Sequence, residues 1–180
     1  MKTAVFFTTN FEEIEALTVV DMLRRADIPC DMVSVTGSLE TTGSHGIKVT
    51  VEKLIDEIDF NDYGCLILPG GPGTATLEDC DILMKNLDDF YANGKLVCAI
   101  CAAPSIFGHR GYLKGRKACS FPAKEAELAG ATIERNSVSE DGNVITSRGM
   151  GTAIYFAAKI IERIKGKEVA DELLEKIVFV

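Results

Sequence analysis

Among its 180 residues the chain has no apolar run near the ~18 residues that a membrane-spanning helix needs. It also lacks any block of like charge: 19 bases are interspersed with 27 acids, for a net charge of −8. A general nucleic-acid surface or an anionic-membrane surface needs clustered Lys and Arg, so neither partner is expected. No repeat, low-complexity tract or linker interrupts residues 1–180, which read as one domain long enough to bury a substantial core. Histidine is scarce. Only His45 and His109 occur, each is expected at the surface, and neither adjoins the cysteine singled out below.

Six cysteines are present, several inside apolar runs. The start, Met1–Phe7, is apolar but short, meets Thr8, Thr9 and Asn10 at once and shows no small-residue cleavage site. It reads as a first strand rather than a signal peptide, and the cysteines then read as reduced thiols in the cytoplasm. Strand-like runs at Lys2–Thr8, Cys30–Thr36, Cys65–Leu68, Lys95–Ile100 and Val144–Thr146 alternate with helical patterns at Phe11–Ala26, Asp79–Asn93, Gly149–Lys165 and Glu168–Ile177. Continuous apolar strands such as Leu96–Ile100 suit a sheet covered on both faces. The expected fold class is therefore α/β, a mostly parallel open sheet with helices on both sides. Ligands of such sheets bind beyond the carboxyl ends of the strands.

Three strand ends stand out. After the first strand, Asn10 and Glu13 have the spacing of a helix cap and its reciprocal acid. Advancing 100° per residue along Phe11–Ala26 puts Glu15, Val19, Met22 and Ala26 on one stripe, broadened by Ala16 and Leu23. Glu13, Thr18, Asp21, Arg24 and Arg25 gather opposite. Glu15 is thus a carboxylate on the core-facing side, either as a cap for backbone amides or as a functional acid whose pKa burial would raise. Ile14 and Leu17 emerge among the polar residues, as a second subunit or ordinary surface exposure would allow.

The second strand end, Pro69-Gly70-Gly71-Pro72-Gly73, is not a G-x-G-x-x-G dinucleotide motif, and its glycines suit backbone N–H groups brought close to a ligand oxygen. The third is Cys101-Ala102-Ala103-Pro104. Cys101 closes an apolar strand, small residues flank it, and Pro104 fits the first turn of a helix. That is the logic of a nucleophile elbow. The thiol is either an inert core residue or a reactive group, and a helix N-terminus beside it would favour thiolate, below the ~8.5 of free Cys. Cys98 and Cys101 also spell C-x-x-C. Strand alternation turns Cys98 to the opposite face, roughly 10 Å along, beyond disulfide reach. Structural zinc would need a second ligand pair, and none is suitably spaced, so no metal is expected. Ser147–Thr152 serves either as a turn and cap or as a pocket wall.

Phe11-Glu12-Glu13-Ile14-Glu15-Ala16, Leu68-Pro69-Gly70-Gly71, Ala99-Ile100-Cys101-Ala102-Ala103-Pro104 and Thr146-Ser147-Arg148-Gly149-Met150-Gly151-Thr152, in this order, resemble the ThiJ/PfpI superfamily. The likeness is to its branch of protein deglycases and YajL-like relatives, and it covers essentially the whole chain. It implies a flavodoxin-like sandwich, a homodimer, no cofactor, a nucleophile at Cys101 and a partnering acid at Glu15. Backbone N–H groups of Gly71 and Ala102 would form the oxyanion hole, and Gly70, His45, Phe121 and Arg148 would line the pocket. The implied activity is attack on reactive carbonyls such as methylglyoxal and glyoxal, free (glyoxalase III type) or as adducts on a glycated protein (deglycase type). A redox-sensing or chaperone role through oxidation of Cys101 is the alternative. Ala102 stands where protease-like members carry His, so a peptidase is not expected. Phe121 stands where the animal deglycases carry a helper His, and His45 where an anion-binding Arg is common.

Overall fold

Two-sided burial of the apolar runs builds the sheet. In a computed structural model, which describes residues 1–179, the strands are β1 (Lys2–Phe7), β2 (Cys30–Ser34), β3 (Glu40–Thr42), β4 (Lys48–Thr50), β5 (Lys53–Leu54), β6 (Tyr63–Leu68), β7 (Leu96–Ile100), β8 (Lys117–Ala118), β9 (Thr132–Ile133), β10 (Val138–Asp141) and β11 (Val144–Ser147). The helices are α1 (Glu13–Arg25), α2 (Thr74–Glu78), α3 (Asp81–Ala92), α4 (Pro104–His109), α5 (Ala153–Lys165) and α6 (Lys167–Lys176). Seven strands form the main sheet in the order β10-β11-β7-β6-β1-β2-β5, all pairs parallel except β10 with β11. This is the expected flavodoxin-like sandwich.

Alternate residues of each central strand feed two cores. Val5, Phe7, Cys65, Ile67, Cys98 and Ile100 pack with α1, α5 and α6. Ala4, Phe6, Leu66, Leu68, Val97 and Ala99 pack with α3, α4 and the short α2. Burying both faces is why these strands read as unbroken apolar runs.

Several boundaries depart from the sequence reading. The Asp79–Asn93 helix is preceded by a separate α2, and the last long helix starts with a 3-10 turn at Met150–Thr152 before α5. The cap of α1 is Glu12, whose carboxylate accepts from the Glu15 N–H at 2.8 Å, not Asn10. Asn10 instead takes a left-handed conformation (φ 62°), which asparagine tolerates better than most residues. Glu13, placed on the polar side by periodicity, is buried because the β3–β4 loop folds over it. The core stripe of α1 is as read: Glu15, Ala16, Val19, Met22, Leu23 and Ala26 are all buried.

Candidate active site

β7 delivers Cys101 to the carboxyl edge of the sheet, where the chain reverses with Cys101 at φ 64°, in the left-handed region. Three backbone hydrogen bonds hold this turn: Cys101 N–H to Ser147 O at 3.0 Å, Phe121 N–H to Cys101 O at 2.7 Å and Ala103 N–H to Ile100 O at 3.1 Å. The turn breaks the strand's alternation. Cys101 packs against the same core as Cys98, not the opposite one, because the rule of alternating faces ends with the extended backbone. All six cysteines are free thiols.

β6 delivers the glycines. A Cβ on Gly70 would stand 2.6 Å from Cys101 Cβ and 2.7 Å from Glu15 Oε2, so only glycine lets strand end, thiol and acid converge. Gly71 has φ 100°, and a Cβ there would meet the Glu12 nitrogen at 2.6 Å. With these approaches open, the N–H groups of Ala102 and Gly71 stand near enough to the Cys101 sulfur to favour its thiolate.

Glu15 is only 1% exposed. One oxygen, Oε2, accepts from Gly70 N–H at 2.9 Å, and the carboxyl lies close enough to the Cys101 thiol for each group to shift the other's titration. The other oxygen, Oε1, is buried with no hydrogen-bond partner. Burial pushes the carboxyl from 4.5 up to about 7, against the opposing pull of Cys101 and Gly70. Burial likewise raises the thiol, and the Glu15 charge with its hydrogen bond carries it up to about 12, while Ala102 and Gly71 pull it down. The sequence expectation of a low-pKa thiol is therefore not met while Glu15 is ionised. α4 has six residues, too short for a full helix dipole, and a carboxylate beside sulfur repels a thiolate. Below about 7 both groups hold their protons; between about 7 and about 12 the pair carries one negative charge in two forms, thiol with carboxylate or thiolate with carboxylic acid. In the second form the acid donates to sulfur.

Cys101 opens into a cavity of about 510 Å³. Gly71, Ala102 and Phe121 line it, as expected; Gly70 lies behind them against Cys101 and Glu15. His45 does not line it. Its imidazole is 73% exposed, and Nδ1 lies 3.0 Å from Oε2 of Glu13, whose carboxylate draws the ring away from the thiol. Glu12, Glu13 and His45 place ligand atoms within 4.8 Å of one another, but the carboxylates already serve the N–H groups of Glu15 and His45. Arg148 is also absent from the lining. Among the described residues it is the one arginine with no carboxylate partner, and its Nε is buried without an acceptor. The sequence reading missed Ser105, His109, Glu78, Lys124 and Glu127, all of which line the cavity. Ser105 and His109 lie one turn apart on α4, with Cys101 four residues before Ser105, and that spacing was a usable signal for the first two additions.

A parallel α/β sandwich with a thiol on a left-handed elbow beside a buried acid defines a cysteine-centred class of doubly wound proteins. The chain belongs to the DJ-1/PfpI family, whose model matches residues 1–163. Protein DJ-1 homolog B of Arabidopsis thaliana is 37% identical over 165 residues, covering 90% of this chain but only 38% of that relative. The chain thus spans well under half the length of that plant protein. A Caenorhabditis elegans protein named glutathione-independent glyoxalase DJR-1.2 is 29% identical over 168 residues, covering 92% of this chain and 89% of the relative. The solved structure of oxidised Toxoplasma gondii DJ-1 superposes with a TM-score of 0.95 at 32% identity, covering 99% of this chain and 98% of that one.

Proposed function

We propose that the protein is a cysteine-dependent enzyme that consumes α-oxoaldehydes such as methylglyoxal and glyoxal, free or as adducts on proteins. The observation that carries this reading is the buried Glu15 carboxyl set beside Cys101 at a strained strand end. The thiolate adds to the aldehyde carbon, and the resulting oxyanion faces the N–H groups of Gly71 and Ala102. Glu15, protonated in the thiolate form, neutralises that oxygen. It then takes the proton from the former aldehyde carbon, the hydroxyl proton passes from that carbon's oxygen to the neighbouring oxygen, and Glu15 returns its proton to the neighbouring carbon, leaving a thioester of a 2-hydroxy acid. Water cleaves the thioester and restores the thiol. The sum is oxoaldehyde plus water to 2-hydroxy acid, with no external oxidant or reductant. On an adduct, the same attack displaces the amine or guanidine and frees the side chain. The relative named as a glutathione-independent glyoxalase supports this class of reaction.

The test is lactate formed from methylglyoxal by the purified protein, freed of contaminating glyoxalases. Cys101→Ser is expected to abolish it, and wild-type protein no better than that variant would end the enzyme reading. One observation favours a second role, redox sensing or client holding through oxidised Cys101. The partnerless Glu15 Oε1, once protonated, can donate to a sulfinate oxygen. The reading also includes a homodimer in a reducing, cytoplasmic setting. Ile14 on α1 is 47% exposed, whereas Leu17, expected beside it at the surface, is half-buried against the core; Ile47 on the β3–β4 hairpin is 53% exposed, and a second copy would cover these exposed side chains. Sedimentation of a monomer at micromolar concentration would remove the dimer, and Ile14→Glu should weaken it.

A further inference from the structure

The Cys101 cavity is larger than a small oxoaldehyde requires, and its far wall is charged. Even at ~30 Å³ per heavy atom, the share of one water in the liquid, methylglyoxal fills roughly 150 Å³, against about 510 Å³ available. Besides the thiol, the lining includes charged side chains from three elements. α2 contributes Glu78, α4 contributes His109, and the 3-10 turn Pro122–Glu127 contributes Lys124 and Glu127. His109 bridges the acids: Nδ1 is 2.7 Å from Glu78 Oε1, and Nε2 is 3.4 Å from Glu127 Oε2. Lys124 Nζ lies 2.7 Å from Glu127 Oε1. Two carboxylates thus face one ammonium, and the imidazole adds a positive charge only when protonated.

We propose that Glu78 and Glu127 make the outer end of this cavity a selectivity site for carbonyl compounds with a cationic tail. That class comprises oxoaldehydes and their adducts in which a guanidinium or ammonium group stands several bonds away from the reacting carbon, and the same wall disfavours oxo acids that carry a carboxylate. The proposal rests on Cys101 being the nucleophile. The acids are not locked in the interior: the side chains of Glu78 and Glu127 are 33% and 35% exposed. An incoming cation therefore replaces water beside them and leaves the His109 bridge in place. With the imidazole neutral, two carboxylates against one ammonium leave an excess of negative charge, and a cleft with low-dielectric walls and such an excess concentrates cations ahead of reaction. Discrimination then arises from attraction of one tail and repulsion of the other.

The test labels Cys101 in the full chain with methanethiosulfonates bearing neutral, trimethylammonium or sulfonate tails. The thiolate attacks the reagent's thiol sulfur, forming a mixed disulfide and releasing methanesulfinate, so no turnover is needed. Rates are read by intact mass, with peptide mapping to separate Cys101 from Cys80. At low salt the cationic reagent is expected to outpace the anionic one by about tenfold or more relative to the neutral reagent, and added salt should shrink the gap. Glu78→Gln and Glu127→Gln should each lower the cationic-to-neutral ratio by roughly threefold. Lys124→Met should raise it. Glu172→Gln on α6, which removes the same charge outside the cavity, should leave it alone. Equal ratios in Glu78→Gln, Glu127→Gln and Glu172→Gln would overturn the proposal, even with lactate formation intact. A Cys101 that no reagent labels would instead overturn its role as nucleophile, and this selectivity with it.

Discussion

Replacing Glu15 with Gln tests the shared proton. The native carboxyl holds its proton up to about 7, against 4.5 for the ordinary group, because burial disfavours the charge. The folded state therefore binds this proton more tightly than the unfolded chain does. Its stabilising contribution is complete below about pH 4.5 and is lost as pH rises through about 7. At ~1.4 kcal/mol per pH decade, that gap is worth about 3 kcal/mol. Gln mimics the protonated acid: its carbonyl can accept from Gly70 N–H, and its amide can donate to the Cys101 sulfur, without a titrating charge. Urea unfolding of both proteins from pH 5 to 8 isolates the effect. The wild type should lose about 2.5 kcal/mol relative to the variant across that range, slightly less than the full gap because the unfolded group is already mostly ionised at pH 5, a midpoint change on the order of 1.2 M at ~2 kcal/mol per M. Curves that stay parallel to within about 0.5 kcal/mol would refute the argument, because the single proton would then not lie on Glu15. Reactivity should divide in the same variant. With the repelling charge gone, alkylation of Cys101 near neutral pH should speed up, while carbonyl turnover should slow because the proton carrier is missing.

Gly70→Ala places a Cβ 2.6 Å from Cys101 Cβ and 2.9 Å from Ile100 O. It should cost ~1–3 kcal/mol in urea unfolding and slow thiol labelling at Cys101. Burial raises the Glu13 carboxyl, but the side chain and N–H of His45 outweigh it and bring it down to about 2. Its contribution is present above about pH 4.5 and lost as pH falls through about 2, so Glu13→Gln should flatten acid unfolding there by on the order of 1–2 kcal/mol, allowing for the exposed imidazole. Cys101 and Cys80 are half-buried, whereas Cys30, Cys65, Cys98 and Cys119 are at most 6% exposed. Mild peroxide should therefore add two oxygens at Cys101 before any of those four, and peptide mapping that finds a core cysteine oxidised first would contradict the site.

The central strands were legible because burial on both faces writes itself as continuous apolar sequence. The two-residue strands β5, β8 and β9 carry no such signature, since too few residues alternate to show a period. β10 was overlooked although Asp141-Gly142 stands between Val138–Glu140 and Val144–Thr146, a recognisable hairpin signal. Glu15 could be found from helical phase alone, because its position depends only on its neighbours in α1. The ionisation of Cys101 could not. It depends on Gly70, Glu15 and Ala102 arriving from three elements, and a local reading saw only the helix that follows the thiol. The charged wall was hidden for the same reason: His109 lies in step with Cys101 and Ser105, but Glu78 and Glu127 reach it only through tertiary packing.

The elbow itself shows how the fold supports the chemistry. A non-glycine residue in the left-handed region costs on the order of 1–3 kcal/mol and persists where its surroundings over-determine it. Here the amide and carbonyl of Cys101 are both claimed, by β11 at Ser147 and by the loop at Phe121. The side chain has little freedom, because Gly70 lies against its Cβ and Glu15 against its sulfur. An extended backbone at residue 101 would continue the alternation of β7, carrying the thiol off the face where α1 supplies Glu15. The strain therefore does specific work: it turns a strand-end cysteine back toward the buried acid that α1 supplies. The chain accommodates that turn by keeping glycine at residue 70, on a neighbouring strand end.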